Sequence, residues 1–133
     1  MAYFLVKTDP ESYSIDDLDR DGTTVWDGVR NAQAQQIIRR MRTGDRALIY
    51  HSMGHSAIVG LAEIISEPRP DPKVPKSAVV DLRFVKRLDP PITLREIKET
   101  HHFDQWSLIR QGRLSTMSVP EEFVIWLRDR GTL

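Results

Sequence analysis

Val25-Trp26-Asp27-Gly28-Val29-Arg30-Asn31 places an indole, a glycine, a guanidinium and an amide just ahead of a helical pattern. Trp26 offers a flat face for stacking, and Asn31 presents a donor and an acceptor to a planar partner. Arg30 suits a phosphate or a carboxylate in forked geometry. Gly28 lets the chain turn, or approach a ligand closely, without a Cβ in the way. The same residues also serve a purely structural purpose: Trp26 as core, Gly28 as the turn, Asn31 as the N-cap of the next helix. The two readings are compatible, and the residues alone leave both open.

Working outward, Asn31 begins a period of 3.6: Ala34, Ile37, Ile38 and Met41 form one apolar stripe, with Arg39, Arg40 and Arg42 off it. This predicts a helix from Asn31 through Met41, ended by Gly44. Upstream, Tyr3–Lys7 reads as a strand stopped by Asp9-Pro10, and Ser14 caps a brief helix over Ile15–Leu18 closed by Asp21-Gly22. Thr23–Trp26 adds a short extended piece. Downstream, Arg46–His51 and Ala57–Ile65 form two strands joined by the small polar loop Ser52–Ser56. Pro68, Pro70, Pro72 and Pro75 require an extended surface loop. Val80, Leu82 and Phe84 mark the buried face of another strand. Thr93-Leu94-Arg95-Glu96 has capping-box spacing and predicts a helix to about Glu99. Leu108–Arg110 and Arg113–Ser115 read as two short strands, or one bulged strand, around Gln111-Gly112. Pro120-Glu121-Glu122 opens a last helix with Phe123, Trp126 and Leu127 inward and Gly131 at its end. Short helices interspersed irregularly with strands predict an α+β fold, a small mixed open β-barrel with helices packed around it.

At 133 residues the chain is expected to be one domain, 1–133, able to bury about two-thirds of its unfolded surface. The absence of cysteine rules out disulfides and thiolate zinc sites. No apolar run approaches the roughly 20 residues of a membrane span, and the start lacks a basic leader, so a cytoplasmic protein without membrane association is expected. The 19 basic and 19 acidic residues cancel, which argues against coating nucleic acid by bulk charge. The distribution is uneven, however. Residues 1–29 hold seven acids against Lys7 and Arg20, whereas residues 30–46 hold five arginines against Asp45. Such a run is either a solvated helix face or a phosphate-contacting edge.

Catalytic and cofactor patterns are missing. There is no phosphate-binding glycine fingerprint, and His51 and His55 straddle a loop rather than sharing a helix face, so no metal is expected. Ser52 and His51 are adjacent in a strand and point to opposite faces, a poor start for a triad. The residues suit a base pocket instead. Trp26 or Tyr50 supplies a stacking face, Thr8, Asn31, His51 or Ser52 the edge partners, and Arg30, Arg110 and Arg113 the phosphate contacts. Since Tyr50 and His51 alternate, at most one of that pair faces such a pocket.

Four ordered segments carry a family resemblance: Lys7-Thr8-Asp9-Pro10, Trp26–Asn31, Tyr50-His51-Ser52, and Arg110-Gln111-Gly112-Arg113-Leu114-Ser115. They resemble the EVE domain family over nearly the whole chain. Ala32 departs from the larger residue that often follows the Asn, and the proline-rich loop has no aromatic before Val79. The resemblance implies a PUA-like fold, an open β-barrel flanked by helices, and a cofactor-free, monomeric, non-catalytic reader of a modified base in DNA or RNA. A binder of small molecules or nucleoside derivatives is the alternative, and zero net charge favours it because a free nucleoside needs no phosphate track.

Overall fold

In the computed structural model, which describes residues 1–133, β1 (Tyr3–Thr8) lies parallel to β3 (Arg46–His51) in the middle of a curled mixed sheet. The sheet order is β2-β6-β4-β3-β1-β7, with β2 (Thr23–Trp26), β4 (Ala57–Ile64), β6 (Ala78–Thr93) and β7 (Thr116–Ser118). All its other pairings are antiparallel, and β5 (Arg69–Pro70) adds a two-residue pairing to β6. The result is a half-barrel, open on one side.

The central strands are apolar on both faces, and their alternation feeds two cores. Leu5, Leu48, Tyr50 and Ile58 point into one, with Ile97, Phe103, Trp106, Leu108 and Phe123. Phe4, Val6, Ala47 and Ile49 point into the other, with Ile15, Leu18, Trp26, Ile38 and Leu82. The first core is covered by α3 (Leu94–Thr100), the single turn α4 (Ser107–Arg110) and α5 (Glu121–Asp129). Phe123 is fully buried there, with Phe103 edge-on at 5.0 Å between centroids, a geometry the ring quadrupoles favour.

The second core is covered by α1 (Ile15–Asp21) and the end of α2 (Ala32–Ile38). Ser14 and Asp17 form a complete capping box at the start of α1. The helix rests on the sheet where β4 has Gly60: a Cβ there would lie 2.2 Å from Ile15 Cδ1 and 2.9 Å from Cγ1. Gly60 is therefore the notch that seats α1. Helix α2 touches both β6 and β7, spanning the open side between the two ends of the sheet.

Three local expectations are corrected. The α2 stripe ends at Ile38, not Met41. Arg40 N–H and Met41 N–H donate to Ile37 and Ile38 carbonyls in tightened turns, and the Asp45 carboxylate then accepts from Arg42 N–H and Ala2 N–H. Met41 is still fully buried, which is why the periodicity continues past the helix. Gly44, at φ +97°, turns the chain into β3 rather than ending α2. Leu108–Arg110 is the turn α4, and Arg113–Ser115 is not a strand; pairing with β1 begins at Thr116. Finally, β6 runs far beyond Val80–Val85. Its register jumps from Gly60↔Arg87 to Ile58↔Ile92, because Pro90 and Pro91 lack a ladder donor and are accommodated in a bulge.

Candidate base-binding cleft

Four segments distant in sequence meet at one cleft of the half-barrel. The C-terminal end of β1 brings Lys7 and Thr8, the turn before α1 brings Ser12 and Tyr13, β2 and its exit bring Thr24 to Arg30, and Ser115 leads into β7. Together they line a cleft of about 380 Å³, within the usual range for small-molecule sites.

Each wall has a local cause. Thr8 Oγ1 donates to the Tyr13 carbonyl at 2.8 Å, tying the turn to the strand, while the Tyr13 hydroxyl donates to Asp21. Burial raises the Tyr13 pKa, opposed by Thr24 and reinforced by the Asp21 bond, so the phenol keeps its proton at neutral pH. Gly28 sits at φ +76° with open space where a Cβ would be, so conformation rather than crowding requires glycine. Gln35, buried on α2, then fixes the loop: its Nε2 donates to the Val29 and Ala78 carbonyls, and its Oε1 accepts from Ala78 N–H at 2.7 Å.

Lys7 is the main charge inside. Its Nζ donates to the Gly112 carbonyl at 3.0 Å and lies 5.4 Å from the Tyr50 ring centroid. Burial lowers its pKa. Arg30 adds an exposed cation at the rim, and Asp27 one carboxylate. Trp26 is only 8% exposed, with its ring committed to the second core. Its indole N–H makes no protein hydrogen bond, yet Arg46 Nε is the one sealed side-chain nitrogen or oxygen without a partner. Trp26 lines the cleft with its indole N–H unpaired within the protein.

Of the residues singled out from the sequence, Thr8, Trp26 and Arg30 line this cleft. Asn31 stands next to Arg30 and caps α2, its Oδ1 accepting from Ala34 N–H at 3.0 Å. Tyr50 is buried behind the cleft wall, beneath Lys7. His51 pairs across from Thr8, and its Nε2 accepts from Ile15 N–H at 3.1 Å, an arrangement that requires the neutral ring. Burial lowers the His51 pKa, with Asp16 opposing. Ser52 N–H and Oγ both donate to the Thr8 carbonyl. Arg110 bonds the Gln105 side chain, and Arg113 is exposed on the loop whose Gly112 carbonyl takes Lys7. Lys7, Ser12, Tyr13 and Thr24 were missed as site residues. Lys7 was at hand in the first motif; the others carry no sequence signal, because only the packing of α1 against β2 and β4 brings them in.

Chemically the cleft is rich in donors: an ammonium, an indole N–H, hydroxyls and a guanidinium. No histidine lines it. No group of three or more His, Cys, Asp or Glu side chains is placed to hold a metal ion, and no helix is long and apolar enough to cross a membrane.

The EVE domain model matches residues 2–129. Human thymocyte nuclear protein 1 is 34% identical over 97% of this chain and 75% of its own length, and the rat protein is 33% identical over 96% and 74%. A solved structure from Agrobacterium tumefaciens superposes with a TM-score of 0.93 at 31% identity, covering 100% of this chain and 94% of that one. The crystal structure of the human THYN1 protein in complex with DNA containing 5-methylcytosine superposes with a TM-score of 0.85 at 30% identity, covering 97% and 98%. With the motifs, the half-barrel and the match over nearly its full length in agreement, the chain belongs to the EVE domain family, with its PUA-like fold.

Proposed function

We propose that this chain is a non-catalytic DNA-binding domain that holds a modified base, 5-methylcytosine being the first candidate, in the cleft of Lys7, Thr8, Tyr13, Trp26 and Arg30. The observation that carries the reading is the convergence of separated segments on one donor-rich cleft of about 380 Å³. A cytosine ring presents acceptors at O2 and N3, which Lys7 Nζ and the Trp26 N–H complement as donors. The complex of the human THYN1 protein with 5-methylcytosine DNA supports the choice of ligand. A base must leave the helical stack to enter such a cleft, and Arg30 at the rim is placed for a flanking phosphate.

The test is equilibrium binding to otherwise identical oligonucleotides with cytosine or 5-methylcytosine at one position. Burying one methyl is worth about 0.8 kcal/mol, so a preference of about four-fold is expected. Lys7→Met should weaken binding to both. Equal affinity for the two oligonucleotides, with no loss in Lys7→Met, would refute the reading. Zero formal net charge favours a second reading, a binder of free nucleoside derivatives. It predicts that the free 5-methylated nucleoside binds as tightly as the oligonucleotide.

A further inference from the structure

The arginine-rich stretch after Asn31 has no part in the cleft, yet it builds a second feature. Where α2 ends, Arg39 and Arg42 face Arg69 and Lys76 across a groove of about 450 Å³ in which Glu67 is the lone carboxylate. The charges do not cancel. Arg42 pairs with Glu67 at 3.5 Å and Arg69 pairs with Asp81 at 2.8 Å, leaving the Arg39 guanidinium and the Lys76 ammonium with no acidic partner.

The groove is also held in shape. Pro68, Pro70 and Pro75 line it with fixed φ angles. The loop between Pro70 and Ala78 is closed by Asp71 N–H donating to Ser77 O and Ser77 N–H donating to Val74 O, each at 2.8 Å. Arg39 Nη2 donates to the Lys76 carbonyl at 2.8 Å, which sets the guanidinium beside the lysine. Glu67 is engaged by Thr43 through both its backbone N–H and its hydroxyl, which keeps the carboxylate turned to that residue.

The groove and the cleft are mechanically one unit. Gln35 bonds Val29, which lines the cleft, and Ala78, which lines the groove. The seven residues of α2 separate the two, about 10 Å at the helical rise. Measured along the duplex axis, that distance is roughly three base-pair steps of DNA.

We propose that the Arg39–Lys76 groove is a second binding site, taking backbone phosphates of the DNA strand whose base occupies the cleft. The inference rests on the proposed function for its register, but not for its chemistry: the groove presents two unpaired cations in a pre-shaped channel. It is also compatible with zero net charge, because the phosphate track is local and seven of the 19 acidic residues fall within residues 1–29. The acidic stretch of α1 is itself partly neutralised by Arg87, which pairs with Asp16 and Asp19.

The experiment compares wild type, Arg39→Gln/Lys76→Gln, and Arg95→Gln/Lys98→Gln as a control of equal charge on α3. Each is titrated with the 5-methylcytosine and cytosine oligonucleotides from about 50 to about 200 mM salt, and with the free nucleoside. Each lost phosphate contact lowers the slope of log K against log salt by about 0.7–0.9. The groove variant should therefore bind either oligonucleotide roughly ten-fold more weakly at the lower salt, with a slope reduced by about 1.4–1.8. Its affinity for the free nucleoside should be unchanged, and the control should behave as wild type. Equal affinities and slopes for the groove variant and wild type would overturn the proposal, as would an equal effect in the control. Polyglutamate binding to wild type as tightly as an oligonucleotide of equal charge would also overturn it. If the groove-dependent slope appears without preference for the methylated base, the groove stands and the base reading falls.

Discussion

Gln35 is the most buried polar side chain bearing on both sites, and replacing it tests whether α2 holds them in place. Gln35→Met keeps length and volume but removes a donor to Val29 O and Ala78 O and the acceptor for Ala78 N–H. A buried unpaired N–H costs about 1–3 kcal/mol, and the two carbonyls lose bonds worth about 0.5–1.5 kcal/mol each, partly recovered by the added apolar contact. The expected loss is about 3 kcal/mol. For a chain of this size that lowers Tm by roughly 10 °C. Gln35→Glu sharpens the test, because a carboxylate in place of Nε2 faces two carbonyl oxygens with no proton to donate. Its folded pKa should be raised above the unfolded value of about 4.3, so stability is retained below that value and lost as pH rises through the folded pKa. Thermal melts of wild type and both variants between pH 4 and 8 decide the matter. A Gln35→Met loss below about 1 kcal/mol, or a Gln35→Glu melt independent of pH, would refute the assigned bonds.

The other expectations are briefer. Wild-type stability should fall as pH drops from about 6.5, the ordinary histidine value, through the lowered folded pKa of His51, since protonation removes the acceptor for Ile15 N–H; His51→Gln should flatten that step in pH-dependent melts. Gly60→Ala should cost about 1–3 kcal/mol in chemical denaturation, because the new methyl meets Ile15 and displaces α1. Asn31→Asp should leave stability within about 0.5 kcal/mol and leave base affinity unchanged, because the side-chain oxygen caps α2 and Asn31 lies outside the cleft lining. Calorimetric titration on the folded variant checks the second half.

Local chemistry was legible in the sequence where a side chain serves its own backbone. Ser14 and Thr93 cap the helices that follow them, and Gly28 and Gly131 take positive φ. The motif residues Thr8, Trp26 and Arg30 do come together, because the curled sheet brings the edge strand β2 and β1 to one cleft. What escaped depends on contacts far apart in the chain. Tyr13 reaches the cleft only because Ile15 seats α1 on Gly60, and an apolar Ile at a helix start does not announce its docking site. Met41 continues the apolar stripe although the helix has ended, since burial and not helicity sets the pattern. Leu108-Ile109 has strand composition, but Trp106 docks through its Nε1 to the Ser118 carbonyl and holds that segment in a single turn. The groove was visible only as a run of arginines. Its second wall, Arg69 and Lys76, comes from the proline-rich loop more than 25 residues away.

The central claim is that a modified base enters the cleft beside Trp26, and the three indole N–H resonances of the protein report on it directly. Trp106 Nε1 is already bonded to Ser118 O at 2.9 Å, and Trp126 lies in the first core under Arg130. Of the three tryptophans Trp26 alone lines the cleft, and its N–H has no partner within the protein. Titrating ¹⁵N-labelled protein with the 5-methylcytosine oligonucleotide should shift the Trp26 indole resonance downfield together with the Lys7, Thr8 and Tyr13 amides, leaving the Trp106 and Trp126 indoles in place. Saturable binding that leaves Trp26 unmoved, or that moves the other two indoles instead, would contradict the account.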